Sequence, residues 1–358
     1  MSRIVVGIIG LGPGAEPHAK SLLDLAERVE VRAAASRTLA RCQAFVERFG
    51  FPTTTDIDAV IADPAIAAIL VLTPPASHAE IAERCFAAGK HVLLEKPLEL
   101  TSAKGASLIA AGRAANRRLG VVLQHRFRPG SLRLRAVLDQ GALGRIVAAN
   151  MTVPWWRPQR YYDEPGRGTL ARDGGGVLLT QAIHTLDLFR SLVGVNAVDA
   201  AQAVTTATHR METEDYVSAL IRLGNDAPGT LLATTAAYPG FPERIEIWGT
   251  NGSATLLGGS LRIATLDGGE EVLADEGGTG GGANIMDFPN DAHRAVLADF
   301  LDAIEGHRDP AITGEDALAS QQLIDTILAV SSRDLPSAQA LMRADRPYTS
   351  SMTRMTEP

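Results

Sequence analysis

Three groups of residues in this sequence have the types and the spacing for chemistry. In "HVLLEKPLEL" (91–100) three apolar residues read as the end of a buried strand, and Glu95, Lys96 and Pro97 follow at its exit. An amine there can hydrogen-bond an oxygen that gains negative charge during a reaction. In "GIIGLGPGAEPHAKSL" (7–22), Gly10, Gly12 and Ala15 occupy the G-x-G-x-x-G/A positions, with Pro13 and Gly14 between them. That pattern suits a tight turn, close approach of a pyrophosphate and close helix–strand packing. Over 177–192, Thr180, His184, Asp187 and Ser191 recur at helical spacing as one polar stripe. The imidazole of His184, with an ordinary pKa near ~6.5, can take and return a proton around neutral pH.

Positioning these groups requires a doubly wound parallel sheet. Short apolar runs at 4–10, 29–36, 66–73, 91–95 and 119–124 alternate with amphipathic stretches such as Ala19, Leu22, Leu23 and Ala26. That alternation predicts strands covered by helices on both faces. The ends of such strands face the ligand crevice, so Lys96 should leave the sheet beside the dinucleotide. The second strand ends in Ser36-Arg37, with Arg41 one turn later, where an acid would hold a ribose 2′-hydroxyl. A hydroxyl and guanidiniums suit a 2′-phosphate instead, so the expected cofactor is NADP(H) in preference to NAD(H).

Beyond a helix near 130–141 the pattern changes. "YVSALIRL" (216–223) alternates, and hairpins are expected at Asn251-Gly252 and Asp267-Gly268. These predict a mainly antiparallel sheet with one face packed and one free. A glycine-rich loop over 276–284 and a helical region near 291–332 follow. The expected organisation is an α/β dinucleotide-binding domain over 1–124, an α+β domain with an open, mainly antiparallel sheet over 125–335, and a tail over 336–358.

Bulk properties narrow the partners. The 358 residues are 46% hydrophobic and 21% charged, with a net charge of −7 and a pI near 5.7. An acidic chain argues against nucleic acid or an anionic membrane as a main partner. No apolar run approaches the ~18 residues of a membrane-spanning helix, and the N-terminus lacks a secretory h-region. Cys42 and Cys85 lack C-x-x-C spacing, which suits a reduced, cytoplasmic protein without disulfides. The eight histidines show no metal-ligand spacing, and "ETED" (212–215) reads as a charged turn, so no metal site is expected.

The order of several motifs carries a family resemblance. "GIIGLG", "LTPPASH" (72–78), "EKP" (95–97), "HRFRPG" (125–130), "WWRPQRYY" (155–162), "RGTLARDGGGVLLTQAIHTLDL" (167–188) and "ERIEIWGTNGSATL" (243–256) together resemble the glucose–fructose oxidoreductase/inositol dehydrogenase/rhizopine-catabolism family, Gfo/Idh/MocA. The resemblance implies an NAD(P)-dependent oxidoreductase acting on a sugar, a sugar acid or a nucleotide-linked sugar. It implies Lys96 and His184 as catalytic residues, with Thr73, Pro74, His78, Glu95 and Lys96 itself added to the dinucleotide site. The open sheet is expected to mediate a homo-oligomer. Thr180 stands where many relatives carry an acid, so Asp173, Tyr161 or Tyr162 is expected to compensate. Arg157 is a candidate ligand for a substrate carboxylate or phosphate, and Gln181 a further substrate contact. Gly174, Gly175 and Gly176 are expected to let a bulky ring approach the His184 helix. Two other readings stay open: redox-neutral glycoside cleavage or isomerisation on a bound cofactor, and a non-catalytic dinucleotide sensor.

Overall fold

The structure, a computed structural model, describes residues 3–332 apart from 276, 279, 280 and 283–287. The 336–358 tail and part of the 276–284 loop lie outside the described residues.

Six short strands form the first sheet: β1 (Ile4–Ile9), β2 (Val29–Ala35), β3 (Thr53–Thr54), β4 (Ala68–Val71), β5 (His91–Leu94) and β6 (Leu119–Val121). All pair in parallel, in the order β3-β2-β1-β4-β5-β6. This is the doubly wound order that places a ligand crevice at the carboxyl ends of β1 and β4. Every residue of β4 is buried, as a central strand covered on both faces requires. The covering helices are α1 (Glu16–Asp24), α2 (Leu39–Phe49), α3 (Ile57–Ala62), α4 (His78–Ala87) and α5 (Ser102–Ala114). Cys42 and Cys85 are buried, unbonded thiols on α2 and α4. On α1 the apolar register is narrower than its spacing suggests: Ala19 and Leu22 are buried, Leu23 is 47% exposed, and Ala26 lies beyond the helix.

The second unit begins with α6 (Pro129–Asp139) and β7 (Ile146–Pro154), then the single turns α7 (Gln159–Tyr162) and α8 (Leu170–Asp173). A π turn over Leu178–Ala182 leads into α9 (Ile183–Val193), so the expected uniform helix starts with a widened turn. Seven more strands follow: β8 (Val195–Val204), β9 (Tyr216–Leu223), β10 (Pro228–Thr234), β11 (Arg244–Gly249), β12 (Gly252–Leu257), β13 (Ser260–Thr265) and β14 (Glu270–Leu273). They join β7 in the order β14-β13-β12-β11-β7-β10-β9-β8. All neighbours are antiparallel except β7 and β10, which run parallel. Val217, Ala219, Ile221 and Leu223 of β9 are buried on the packed face, as their alternation predicts. The turn before β12 sits one residue earlier than the Asn-Gly signal implies. Gly252 is already in the strand, where an added Cβ would lie 2.4 Å from the Ala264 carbonyl oxygen.

The terminal helical region is two helices, α10 (Asp291–Glu305) and α11 (Gly314–Ser331), the second opened by a Thr313–Asp316 capping box. Helix α10 returns to the first unit: Val296, Leu297, Phe300 and Leu301 share a core with Val6, Ile8, Leu70 and Leu93. Among the described residues no helix is long and apolar enough to cross a membrane.

Candidate active site

The glycine turn is built by contact on one side and openness on the other. Gly10 has φ +107°, and an added Cβ would lie 2.6 Å from the backbone of Leu72 at the end of β4. No atom lies within 4 Å of where a Cβ would stand on Gly12 or Gly14, while Ala15 is buried. Pro13–Ala15 forms one 3₁₀ turn that runs into α1, and no side chain caps either start. Open glycine backbone leading to an uncapped helix N-terminus fits a dinucleotide pyrophosphate. At the end of β2, Ser36 is buried and its Oγ accepts from Thr38 N at 3.3 Å, while Arg37 and Arg41 are exposed. His78 departs from its expected role. It is fully buried, with Nδ1 2.9 Å from the Pro97 carbonyl and Nε2 2.8 Å from the Thr73 carbonyl, so it fastens two crevice loops together. Thr73 itself lines the cavity described below, and Pro74 is exposed.

Lys96 is aimed by its neighbours. Glu95 Oε1 lies 2.8 Å from His18 Nε2, and Oε2 accepts the Lys96 backbone N–H at 2.9 Å. The Lys96 Nζ donates to the Thr180 carbonyl at 2.7 Å, within the π turn, where the backbone departs from α-helical bonding. Burial draws the Lys96 pKa down, the Glu95 carboxylate opposes this, and the Arg157 and Arg167 charges reinforce it.

The stripe on the His184 helix faces inward. The single Thr180 Oγ1 proton lies between two acceptors, the Gly176 carbonyl at 2.7 Å and Gln181 Oε1. Asp187 is fully buried, accepting two bonds from Arg126 at 2.6 and 2.7 Å and one from Ser320 Oγ at 2.7 Å. These contacts lock α9 to α11 and to the segment bearing His125. The His125 and His184 rings lie 5.1 Å apart, tilted by 35°. His184 is buried and its Nδ1 has no partner among the described residues. Burial first, then the Lys96 charge, hold its pKa well below the ordinary value, so the imidazole is neutral at neutral pH.

Arg157 is buried rather than superficial, at 3% exposure. Its Nη1 donates to the Trp156 and Gly282 carbonyls, both at 2.8 Å, and its guanidinium packs over the Trp155 and Tyr161 rings. Its Nε is buried without a partner, and no carboxylate pairs with it among the described residues. The Tyr161 hydroxyl accepts from Arg167 at 3.0 Å and from Gln181 Nε2 at 3.2 Å.

Lys96, His184, Arg157, Tyr161, Thr180 and Gln181 line one cavity of about 630 Å³, which Gly14, Thr73 and Glu95 reach from the dinucleotide side. Two expected members do not line it. Tyr162 is turned inward, its hydroxyl on Thr235 Oγ1 at 2.8 Å and its pKa raised by burial. Asp173 accepts the Gly168 N–H at 2.7 Å and braces that loop. Neither supplies the acid that Thr180 lacks. Lining residues that the sequence reading did not single out include His125, Arg128 and His293. The first two lie in "HRFRPG", whereas His293 carries no local signal.

The "ETED" segment does more than turn the chain. Glu214 accepts from Gly176 N with its carboxylate at 3.1 Å and from Val177 N with its carbonyl at 2.9 Å, holding the start of the His184 helix. Asp215 lies 2.7 Å from His209 Nδ1, and His209 Nε2 reaches the Arg157 carbonyl at 2.8 Å. The glycine run is accordingly explained by protein packing and not by a ring of a ligand. An added Cβ would lie 2.7 Å from a Leu100 methyl at Gly174 and 2.0 Å from the Glu214 carbonyl oxygen at Gly176. Gly176→Ala is expected to lower stability by about 1–3 kcal/mol through overpacking. A urea midpoint equal to that of the parent protein would remove this account.

The comparisons agree with this geometry. Residues 4–123 match the oxidoreductase family with an NAD-binding Rossmann fold, and residues 131–255 match the GFO/IDH/MocA C-terminal domain. Inositol 2-dehydrogenase of Rhizobium meliloti (strain 1021) is 26% identical over 326 residues, covering 89% of this chain and 94% of that protein. The structure of the WlbA dehydrogenase of Bordetella pertussis in complex with NADH and UDP-GlcNAcA is 26% identical with a TM-score of 0.79, covering 93% of this chain and 98% of that one. Levoglucosan dehydrogenase in complex with NADH and levoglucosan, 24% identical with a TM-score of 0.81, covers 92% of this chain and 98% of that one and shares the fold. An NAD-binding Rossmann unit, an open sheet in a second unit, and a lysine and histidine meeting between them define the molecule: the chain belongs to the GFO/IDH/MocA family of oxidoreductases.

Proposed function

We propose that the protein transfers a hydride between a nicotinamide dinucleotide and a hydroxyl-bearing carbon of a carboxylated sugar. The observation that carries this reading is the single cavity onto which the glycine turn, Lys96, His184 and Arg157 all open. When bound along Gly10–Ala15, the dinucleotide supplies a hydride acceptor for oxidation or a donor for reduction. Lys96 binds the substrate oxygen with the N–H bonds left over from its contact to Thr180 and stabilises the charge that develops there. His184, held neutral, takes the hydroxyl proton in the oxidative direction and returns it in the reductive one. The Tyr161 hydroxyl, fixed by Arg167 and Gln181, is the remaining proton-bearing group of the expected set on the cavity wall.

The carboxylate follows from Arg157. A buried guanidinium costs free energy unless an anion and hydrogen bonds compensate it, and this one lacks a protein carboxylate among the described residues. The testing experiment is a screen of polyols, neutral sugars and the matching uronic and aldonic acids, following reduced-dinucleotide absorbance. Acids are expected to turn over best, and Arg157→Gln to raise KM for the acid by at least about tenfold. Equal turnover of acid and neutral sugar would overturn the carboxylate assignment while leaving hydride transfer standing.

For the dinucleotide, the finer reading is NADP(H). Ser36 at the end of β2 and the exposed guanidiniums of Arg37 and Arg41 support a 2′-phosphate. Fluorescence titration is expected to show tighter binding of NADPH than NADH, with Arg37→Ala weakening only the former. A preference for NADH in the parent protein would reverse that choice. The exposed Leu220, Trp248 and Leu257 support association of two copies through the open sheet. A monomer mass by light scattering would count against that.

A further inference from the structure

We infer that His18, Glu95 and His293 form a binding site for a divalent transition cation of the zinc type at the edge of the cavity. The three residues come from separate elements: His18 from α1, Glu95 from the exit of β5, and His293 from the first turns of α10. One ligand atom from each lies within 4.8 Å of the others. The two rings meet edge to face with centroids 5.2 Å apart.

A second observation points to a ligand. His18 and His293 are 1% and 4% exposed, and the Nδ1 atom of each is buried without a partner. Buried polar atoms are nearly always satisfied, so the unpaired Nδ1 of His293 marks a cluster short of a partner; His18 faces Glu95 through its Nε2. His18 Nε2 lies 2.8 Å from Glu95 Oε1, so these two ligand atoms already stand side by side. Two imidazoles and one carboxylate are a zinc donor set that leaves a fourth position open. Glu95 and His293 both line the cavity, so that position opens onto it.

The nearby cations are bonded elsewhere, although the Lys96 charge still acts on Glu95. The Lys96 Nζ is on the Thr180 carbonyl, and Arg128 pairs with Glu243. A tetrahedral ion with bonds of about 2.0–2.2 Å sets its ligand atoms about 3.4 Å apart, so a pair as wide as 4.8 Å must close by about 1.4 Å. Glu95 also fixes the Lys96 backbone, but the binding test uses no substrate and no hydride transfer, so its outcome is separate from that of the proposed reaction.

The experiment titrates metal-free full-length protein with Co²⁺, without dinucleotide, and follows its visible absorption; Zn²⁺ is then added in competition with a chromophoric chelator. One saturable site with the intense bands of four-coordinate cobalt, reversed by zinc, is expected. His293→Ala and Glu95→Gln are each expected to weaken binding at least about tenfold, whereas His307→Ala, at an exposed position, leaves it unchanged. Thermal melts establish that the variants fold. If His293→Ala does not, Glu95→Gln decides, since the amide can still accept from His18. Absent or unsaturable cobalt binding, or binding unchanged in whichever of these variants folds, overturns the site.

Discussion

Lys96→Ala lowers kcat by about 10²–10³-fold, the usual cost of deleting one donor to a developing oxyanion, and leaves dinucleotide affinity close to that of the parent. The separation follows from where the side chain points. Its Nζ is held at the Thr180 carbonyl across the cavity, while the open glycine turn would hold the dinucleotide through backbone. Steady-state rates with an alcohol found by the screen, beside a fluorescence titration with reduced dinucleotide, give the two numbers. Parallel loss of binding and rate would make Lys96 a cofactor anchor, and retained rate would remove it from the chemistry.

His184→Ala is expected to lower kcat by about 10²–10⁴-fold and to change the shape of the pH profile. In the proposed reaction the base is the neutral imidazole, so protonation should remove activity. Because burial and the Lys96 charge hold the His184 pKa well below 6.5, the parent enzyme should oxidise at a level rate through neutral pH. Its acid limb should fall only well below 6.5. Lys96, drawn down from 10.5, sets the other side: losing its proton as pH rises removes the charge that stabilises the oxyanion. The alanine variant should lose the acid limb and keep the alkaline one. An acid limb unchanged in His184→Ala would assign the proton to another group, with Tyr161 and His125 the nearest on the cavity wall.

What could be read from the chain was local. Gly10, Gly12 and Ala15 announce themselves because a tight turn at a strand end restricts side-chain size within six residues. The first sheet was legible for a similar reason, its central strands being short apolar runs, though β2 is interrupted by Glu30 and Arg32; β3, with two residues, has no periodicity to detect. Tyr161 and Tyr162 show the limit. They are neighbours of one type, and only the packing of α7 against Thr235 turns one inward and leaves the other on the cavity. The glycine run before α9 was conspicuous, yet its reason lies in Glu214, which no spacing rule connects to Gly176. His293 and the parallel pairing of β7 with β10 were invisible for the same cause: both depend on contacts between distant parts of the chain.

The return of α10 to the first sheet bears on how the protein is made. Val6, Ile8, Leu70 and Leu93 leave the ribosome well before the helix that covers them is synthesised. Until then the nascent dinucleotide unit carries an uncovered apolar surface beside its newly formed strands, a state prone to aggregation. A fragment ending near residue 124 lacks that covering helix altogether. The amino-terminal unit is early in sequence and late in folding.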